Sequence, residues 1–519
     1  MKKDQNLNSG FSSIIEKFLD ESYQSTDCFP HAISRIEIRE THISWIILTG
    51  EFAYKIKKPV NLGFLDFSTL SKRKFYCEEE IRLNQRWAPN IYLDVVAITG
   101  SLEHPKFCGD GKILEYAVRM KQFPPNQTLD LISEENHLES KMIDSIAKNL
   151  ASLHKSSPVV ELRSELGSAE YILSSTIDNF KSILTQNKDT SLLKQLSIWT
   201  KKEFENKKSY LMARKSNSFV RECHGDLHLG NMAWVDEEIL FFDGIEFNER
   251  FRFIDVISEV AFVVMDLMER KKEDLAWRLL NLYLEETGDY EGLGCLPYYL
   301  TYRAMVRAKV ACIRSNQNHL SEYEQKNEQD LFQDYLNLAQ SFTVRENGRI
   351  ILTCGYSGSG KTSLARKLYR NSIIHIRSDV ERKRLFADQH EIEPNIYTES
   401  ASDKTYARLL ALTEILVKEG FTVIVDATFL ETKRREPFQL LAHELNCDYH
   451  IIHCIAKEET LRKRIEERKL QNNDVSDATL DILSKQIAKA YRFTEFELNH
   501  LHTIDTEENY LVSKLDFLN

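Results

Sequence analysis

The run Gly355, Tyr356, Ser357, Gly358, Ser359, Gly360, Lys361 and Thr362 constrains this chain more than any other feature. A G-x-x-x-x-G-K-T sequence works only between a buried strand and the start of a helix. Residues 349–354 read as that strand, and 363–370 open an amphipathic helix. Unpaired N–H groups and the helix dipole attract an anion at such a terminus. The glycines let the backbone wrap phosphates, Lys361 neutralises β- and γ-oxygens, and Thr362 offers a hydroxyl to magnesium. Residues 355–362 are therefore expected to bind ATP and Mg2+, with Thr362 as a metal ligand.

The 519 residues exceed a single core, which rarely grows past roughly 250–300 residues, so about three compact units are expected. The polar stretch 343–348 marks a boundary between a domain over 1–342 and another over 343–519. A net charge of −11 disfavours long duplex nucleic acid as a partner. Nine cysteines without a C-x-x-C pair suggest neither a disulfide framework nor a zinc site. No apolar run reaches the roughly 18 residues of a membrane span, and the N-terminus lacks a signal-like apolar region, so a cytoplasmic protein with no membrane partner is expected.

Periodicity predicts a short helix over 11–24 and then a meander over 33–58, with Ile36, Ile38, Ile43, Trp45, Ile47 and Ala53 at alternating positions. A helix follows at about 71–88, then strands near 92–99 and 113–121. Pro124 and Pro125 mark the exit into a different lobe. Residues 138–215 and 256–341 read as helical, with short strands and loops over 219–255.

A second constellation lies within those loops. Cys223, His224, Gly225, Asp226, Leu227, His228, Leu229, Gly230 and Asn231 are followed by the apolar run 239–242 and then by Asp243 and Gly244. One loop thus carries a carboxylate and an amide, and a second carboxylate ends a strand. Phosphoryl transfer needs this set, with Asp226 accepting the acceptor hydroxyl's proton and Asn231 and Asp243 holding magnesium. The residues resemble the catalytic and metal-binding loops of the aminoglycoside phosphotransferase and choline-kinase-like group, which shares the two-lobed α+β fold of protein kinases.

That resemblance implies a phosphate-binding lysine on the strand containing Lys55 and Lys57. Lys55 is favoured by its apolar neighbours, although alternation puts Lys57 on the same face. It also implies a glutamate partner among Glu78, Glu79 and Glu80. Glu80 lies on the inward arc of the helix and Glu79 is the alternative. No G-x-G-x-x-G occurs between the first two strands, where His42 to Ser44 stand, which argues against protein-kinase activity. Asp255 resembles an acidic position after the metal loop, and equally reads as a helix N-cap. Arg303, Arg307 and Arg314 share a helix face and suit either an anionic acceptor or surface ion pairs.

Behind the phosphate loop, Asp379 follows a strand over 372–377, and a carboxylate there faces the crevice of a doubly wound parallel sheet. Asp426 ends the strand over 421–426 and suits magnesium binding. The arrangement resembles P-loop kinases of the polynucleotide kinase, zeta-toxin, shikimate and gluconate kinase type. The resemblance implies Asp379 as the base, Arg382 as an acceptor ligand, and Arg464 and Arg468 on a lid that reaches the transferring phosphoryl group. A helix cap for Asp379 and a solvated basic face for the arginines are the bland readings.

The chain as a whole resembles a bacterial fusion of these two kinase types. What this implies is a bifunctional ATP-dependent kinase that phosphorylates hydroxyl groups of antibiotic-, sugar- or nucleotide-like acceptors. An RNA or nucleotide end is a further acceptor for the rear domain. The alternative is an ATP-binding regulatory protein.

Overall fold

The computed structural model describes residues 14–18, 28–33, 36–186, 190–317, 320–369, 372–387, 396, 398–471, 479–489 and 491–508. Residues 14–18 are helical, and the rest of the helix expected over 11–24 lies outside the described residues. Two compact units emerge. The front unit comprises Met1–Ser145, Ser152–Ser174 and Tyr210–Val263, and the rear unit comprises Ile146–Ala151, Ser175–Ser209 and Val264–Asn519.

The front unit is built on a six-stranded antiparallel sheet. Its strands are β1 (Glu37–Glu40), β2 (Ser44–Leu48), β3 (Phe52–Lys57), β4 (Tyr92–Gly100), β5 (Pro105–Phe107) and β6 (Ile113–Lys121), in the spatial order β1-β2-β3-β6-β4-β5. Side chains alternate across a strand, so β3 sends Tyr54 and Ile56 into an apolar cluster with Ile47, Ile98 and Phe107. Lys55 and Lys57 point to the opposite face, toward helix α1 (Leu70–Asn84). Thr69 caps α1 by accepting from the Lys72 N–H. Its Cys77 packs with Ala88, Ile91, Tyr92 and Val118.

Two short antiparallel ribbons complete the unit. One pairs β7 (Val220–Glu222) with β10 (Phe253–Asp255), and the other pairs β8 (Met232–Val235) with β9 (Glu238–Phe241). The Asp226 loop runs from β7 to β8, and Asp243 follows β9. Helix α2 (Val256–Glu269) begins directly after β10.

The rear unit contains a five-stranded parallel sheet. Its strands are β11 (Ile350–Cys354), β12 (Ile373–Arg377), β13 (Thr422–Asp426), β14 (Tyr449–Ile455) and β15 (Leu501–Asp505), in the order β12-β13-β11-β14-β15. β11, β12 and β13 are buried along their whole length, as their near-continuous apolar runs require. Helices α3 (Glu273–Thr287), α4 (Leu296–Ser315) and α5 (Glu322–Ser341) belong to this same unit. Buried Asn281 of α3 donates to Ile373 O and accepts from the His375 N–H, 2.9 and 2.7 Å, so one side chain pairs with the edge strand β12. Packing thus follows different lines from the sequence boundary at 342/343, which marks only where the chain enters the parallel sheet.

The helical arginines are engaged locally. Arg307 donates to Tyr335 Oη at 3.2 Å and Arg314 pairs with Glu328 at 3.2 Å, both on α5.

Candidate active sites

In the front unit, Lys55, Asp243, Gly230, Tyr92, Ala53 and Phe123 are among the residues lining a cavity of about 450 Å³. Lys55 Nζ lies 2.8 Å from Glu80 Oε1 and also meets Asp243. Lys57 Nζ lies 2.6 Å from Glu80 Oε2 and also meets Glu246. Glu80 is fully buried between both lysines, whereas Glu79 pairs with Arg82 one turn along. Lys55 lines the cavity; Lys57 is sealed beneath it, which sets the two apart although they share a face. Burial opposes charge on Lys55, but Asp243 and Glu80 overcome it and hold its pKa well above the usual lysine range. Burial likewise opposes charge on Glu80, yet the two ammonium groups lower its pKa to about 2.

The two loops facing Lys55 are joined by backbone bonds. The Phe242 N–H donates to Asn231 O and the Ile245 N–H to His224 O, each at 3.0 Å. Asn231 Nδ2 donates to Asp226 O at 2.9 Å, leaving its carbonyl oxygen as the ligand atom on offer. Glu259 of α2 accepts from the Gly225 N–H at 2.7 Å with one oxygen and lies 2.9 Å from His154 Nε2 with the other. His224 is buried against Trp87, and burial lowers its pKa, so it stays neutral and takes part through its 2.8 Å contact with Phe242 O. Gly244 sits where a Cβ would stand 2.1 Å from Trp87 Cζ3, which leaves no room for a side chain. Asp226 and Asp243 remain partly exposed, with side chains 41% and 50% accessible, as groups that meet a ligand must be. Asp255 lies elsewhere: it pairs with buried Arg214 and accepts from the Ile257 N–H at 3.0 Å, so it serves the start of α2.

In the rear unit, the phosphate loop leads from β11 into α6 (Lys361–Lys367). It borders a cavity of about 440 Å³ whose lining includes Lys361, Thr362, Asp379, Arg382, Asp426 and Arg468. At Gly355, φ is +144° and a Cβ would lie 2.4 Å from Cys454 O, so only glycine fits against β14. Thr362 Oγ1 donates to Asp426 Oδ2 at 2.6 Å. His375 Nε2 meets the same oxygen at 3.2 Å, and Thr353 donates to Asp426 Oδ1 at 3.1 Å. Burial raises the Asp426 pKa, but His375, Lys361 and Thr362 outweigh it and hold the carboxyl below its ordinary range.

Lys361 Nζ donates to Gly355 O and Tyr356 O, curled back over its own loop. Ser359 Oγ is buried with no hydrogen-bond partner among the described residues. That orphaned hydroxyl, the hard oxygen pair of Thr362 and Asp426, and a loop no Cβ could enter all fit a triphosphate with magnesium.

Asp379 stands in the first turn of α7 (Ser378–Phe386), which has no side-chain cap bond, so the helix-cap reading does not describe it. Arg382 donates to Ile396 O and Ser402 Oγ while lining the cavity. The two arginines expected on a lid stand on α8 (Glu458–Gln471), and both line the cavity. Arg464 donates to Gly358 O and to both oxygens of Thr506, bracing the phosphate loop against the end of β15. Arg468 lies one turn further along the same helix.

Several contributors carried no motif. Glu246 and Glu259 are single buried carboxylates in unremarkable stretches. Gln486, on α9 (Leu480–Ala488), accepts from the Ser357 N–H and donates to Ser357 Oγ, 2.9 and 3.1 Å, so a second helix covers the phosphate loop. His375 stands on β12, which is buried along its whole length, so no alternation marks it in the sequence.

Residues 350–493 match the model of a family described as AAA domain. Over 503 residues the chain is 25% identical to an uncharacterized protein of Mycobacterium tuberculosis (strain ATCC 25618 / H37Rv), covering 94% of this chain and 96% of that one. An uncharacterized protein of Mycobacterium bovis matches to the same extent. Among solved structures, an amicoumacin kinase in complex with AMP-PNP, Ca2+ and Ami is 11% identical, covers 63% of this chain and 96% of its own, and has a TM-score of 0.40. The APS kinase of Mycobacterium tuberculosis in complex with AMPPNP and APS is 17% identical, covers 33% and 96%, and has a TM-score of 0.26. The described helices include none long and apolar enough to cross a membrane.

Proposed function

We propose that this chain is an ATP-dependent phosphotransferase with two separate nucleotide sites, each moving a γ-phosphoryl group to a hydroxyl of a small-molecule acceptor. The observation that carries this reading is a repeated pairing: in each unit a lysine and an aspartate suited to magnesium border one cavity, Lys55 with Asp243 and Lys361 with Asp426, while Asp226 and Asn231 stand on the loop whose backbone is bonded to the Asp243 segment. Magnesium, when bound, would neutralise charge on the phosphate oxygens.

In the front cleft, Lys55 would grip the nucleotide phosphates while Glu80 fixes its direction, and Asn231 and Asp243 would hold the metal. Asp226 would accept the acceptor's proton. In the rear cavity, Lys361 would swing from its carbonyl partners to the phosphates, Thr362 and Asp426 would hold the metal, and Arg464 and Arg468 would meet the transferring group. Asp379 would orient or deprotonate the acceptor hydroxyl, with Arg382 beside it. The acceptor of the rear site includes an RNA or nucleotide end among its candidates.

Transfer of labelled γ-phosphate from ATP into a metabolite extract tests the reading. Asp226→Ala and Asp379→Ala should each remove a different set of labelled products, and the double variant should remove both. Tight ATP binding with no labelled product in the wild type would reject catalysis in favour of a regulatory nucleotide-binding role.

A further inference from the structure

We propose that Arg39 is the triphosphate-binding side chain of the front site, replacing the backbone cradle that its first hairpin lacks. This rests on reading the front cleft as a nucleotide site.

A phosphate cradle made of backbone requires amides free to face the ligand. The β1–β2 turn has three of its amides engaged within itself. The Thr41 N–H donates to Ser44 O, and Thr41 Oγ1 accepts from both the Ile43 and Ser44 amides, at 3.4 and 2.9 Å. A cation on the sheet would make up for those amides.

Register identifies which one. Arg39 is directly across from Ile46, and Ile46 from Lys55, so the three form one row on the cavity face of the sheet. All three line the cavity. The neighbouring row starts at Glu37 on β1 and continues through Leu48, Ala53 and Met120, whose apolar side chains line the cavity and suit a base. Arg39 thus stands in the row of the phosphate-directed lysine and not in that of the base. Lys121, another cation on the cavity wall, is in register with Phe52, beyond the apolar row.

The present partner of Arg39 is Glu37, at 2.9 Å, with side chains 50% and 42% exposed. An exposed pair of this kind is worth little, so the guanidinium can turn to a phosphate, where planar two-pronged donation is strongest.

The test is calorimetric, on the full chain carrying Lys361→Ala to weaken the rear site. MgATP and AMP are titrated, and the front isotherm is the one that Lys55→Ala removes. Arg39→Ala should reduce the ATP-to-AMP affinity ratio about tenfold, the scale of one charge-assisted contact. AMP affinity should hold within about twofold of the parent, which also reports that the lobe is folded. Arg39→Lys should lie between, and Lys121→Ala should leave the ratio unchanged. An unchanged ratio in Arg39→Ala overturns the assignment while leaving the nucleotide site standing. If Lys55→Ala removes no isotherm, the nucleotide reading of the cleft fails, and the role of Arg39 fails with it.

Discussion

Glu80 is the side chain on which the front cleft depends most, because two buried ammonium groups share it. Glu80→Ala should destabilise the protein by roughly 3–5 kcal/mol in urea titrations, the cost of breaking a buried ion pair. The pH dependence follows from the shifts. Glu80 is lowered to about 2, so its contribution is present above the ordinary carboxyl range and lost as pH falls through about 2. Lys55 is raised, so its contribution is complete below the ordinary lysine range and lost only as pH climbs beyond it. The stability difference between wild type and Glu80→Gln should therefore be flat near neutrality and shrink in acid. Gly244→Ala should cost roughly 1–3 kcal/mol through overpacking against Trp87, read as a lower melting temperature and weaker ATP binding at the front site. Helical phase favoured Glu80 and left Glu79 as the alternative. Lys55 and Lys57 were not separable in sequence, since strand alternation gives them one face and only the third dimension gives them different depths.

The strands and helices that bear motifs were legible because their periodicities are strong: β11, β13 and the loop between β11 and α6 lie where their apolar runs and glycines put them. Contacts between elements were not, since no local pattern encodes a partner distant in the chain. Asn281 illustrates this: an isolated polar residue on a helix, it meets β12 across 92 positions. Asn281→Ala should leave Ile373 O and the His375 N–H without that partner and cost roughly 2–4 kcal/mol, with faster hydrogen exchange at His375. Gln486 was equally silent in sequence, though it touches the most recognisable loop in the chain. Arg464 lines the rear cavity beside Arg468 and also donates to Gly358 and Thr506, contacts that no local pattern encodes.

Across the whole molecule, two independent sites should show as two equivalents of ATP by equilibrium dialysis. Lys55→Ala and Lys361→Ala should each remove one, and together both. The two signatures were readable in sequence because each is a compact run of residues with fixed spacing; the grouping of α3, α4 and α5 with the parallel sheet was not, because it depends on surfaces distant in the chain. That grouping bears on how the protein can be divided. A strand edge stripped of its cover offers its amides and carbonyls to any extended chain nearby. The fragment 343–519, cut where the composition changes, would retain β12 but lose Asn281, and should self-associate in light scattering where the entire chain does not. A cut made before α3 keeps that cover and should yield the better-behaved piece.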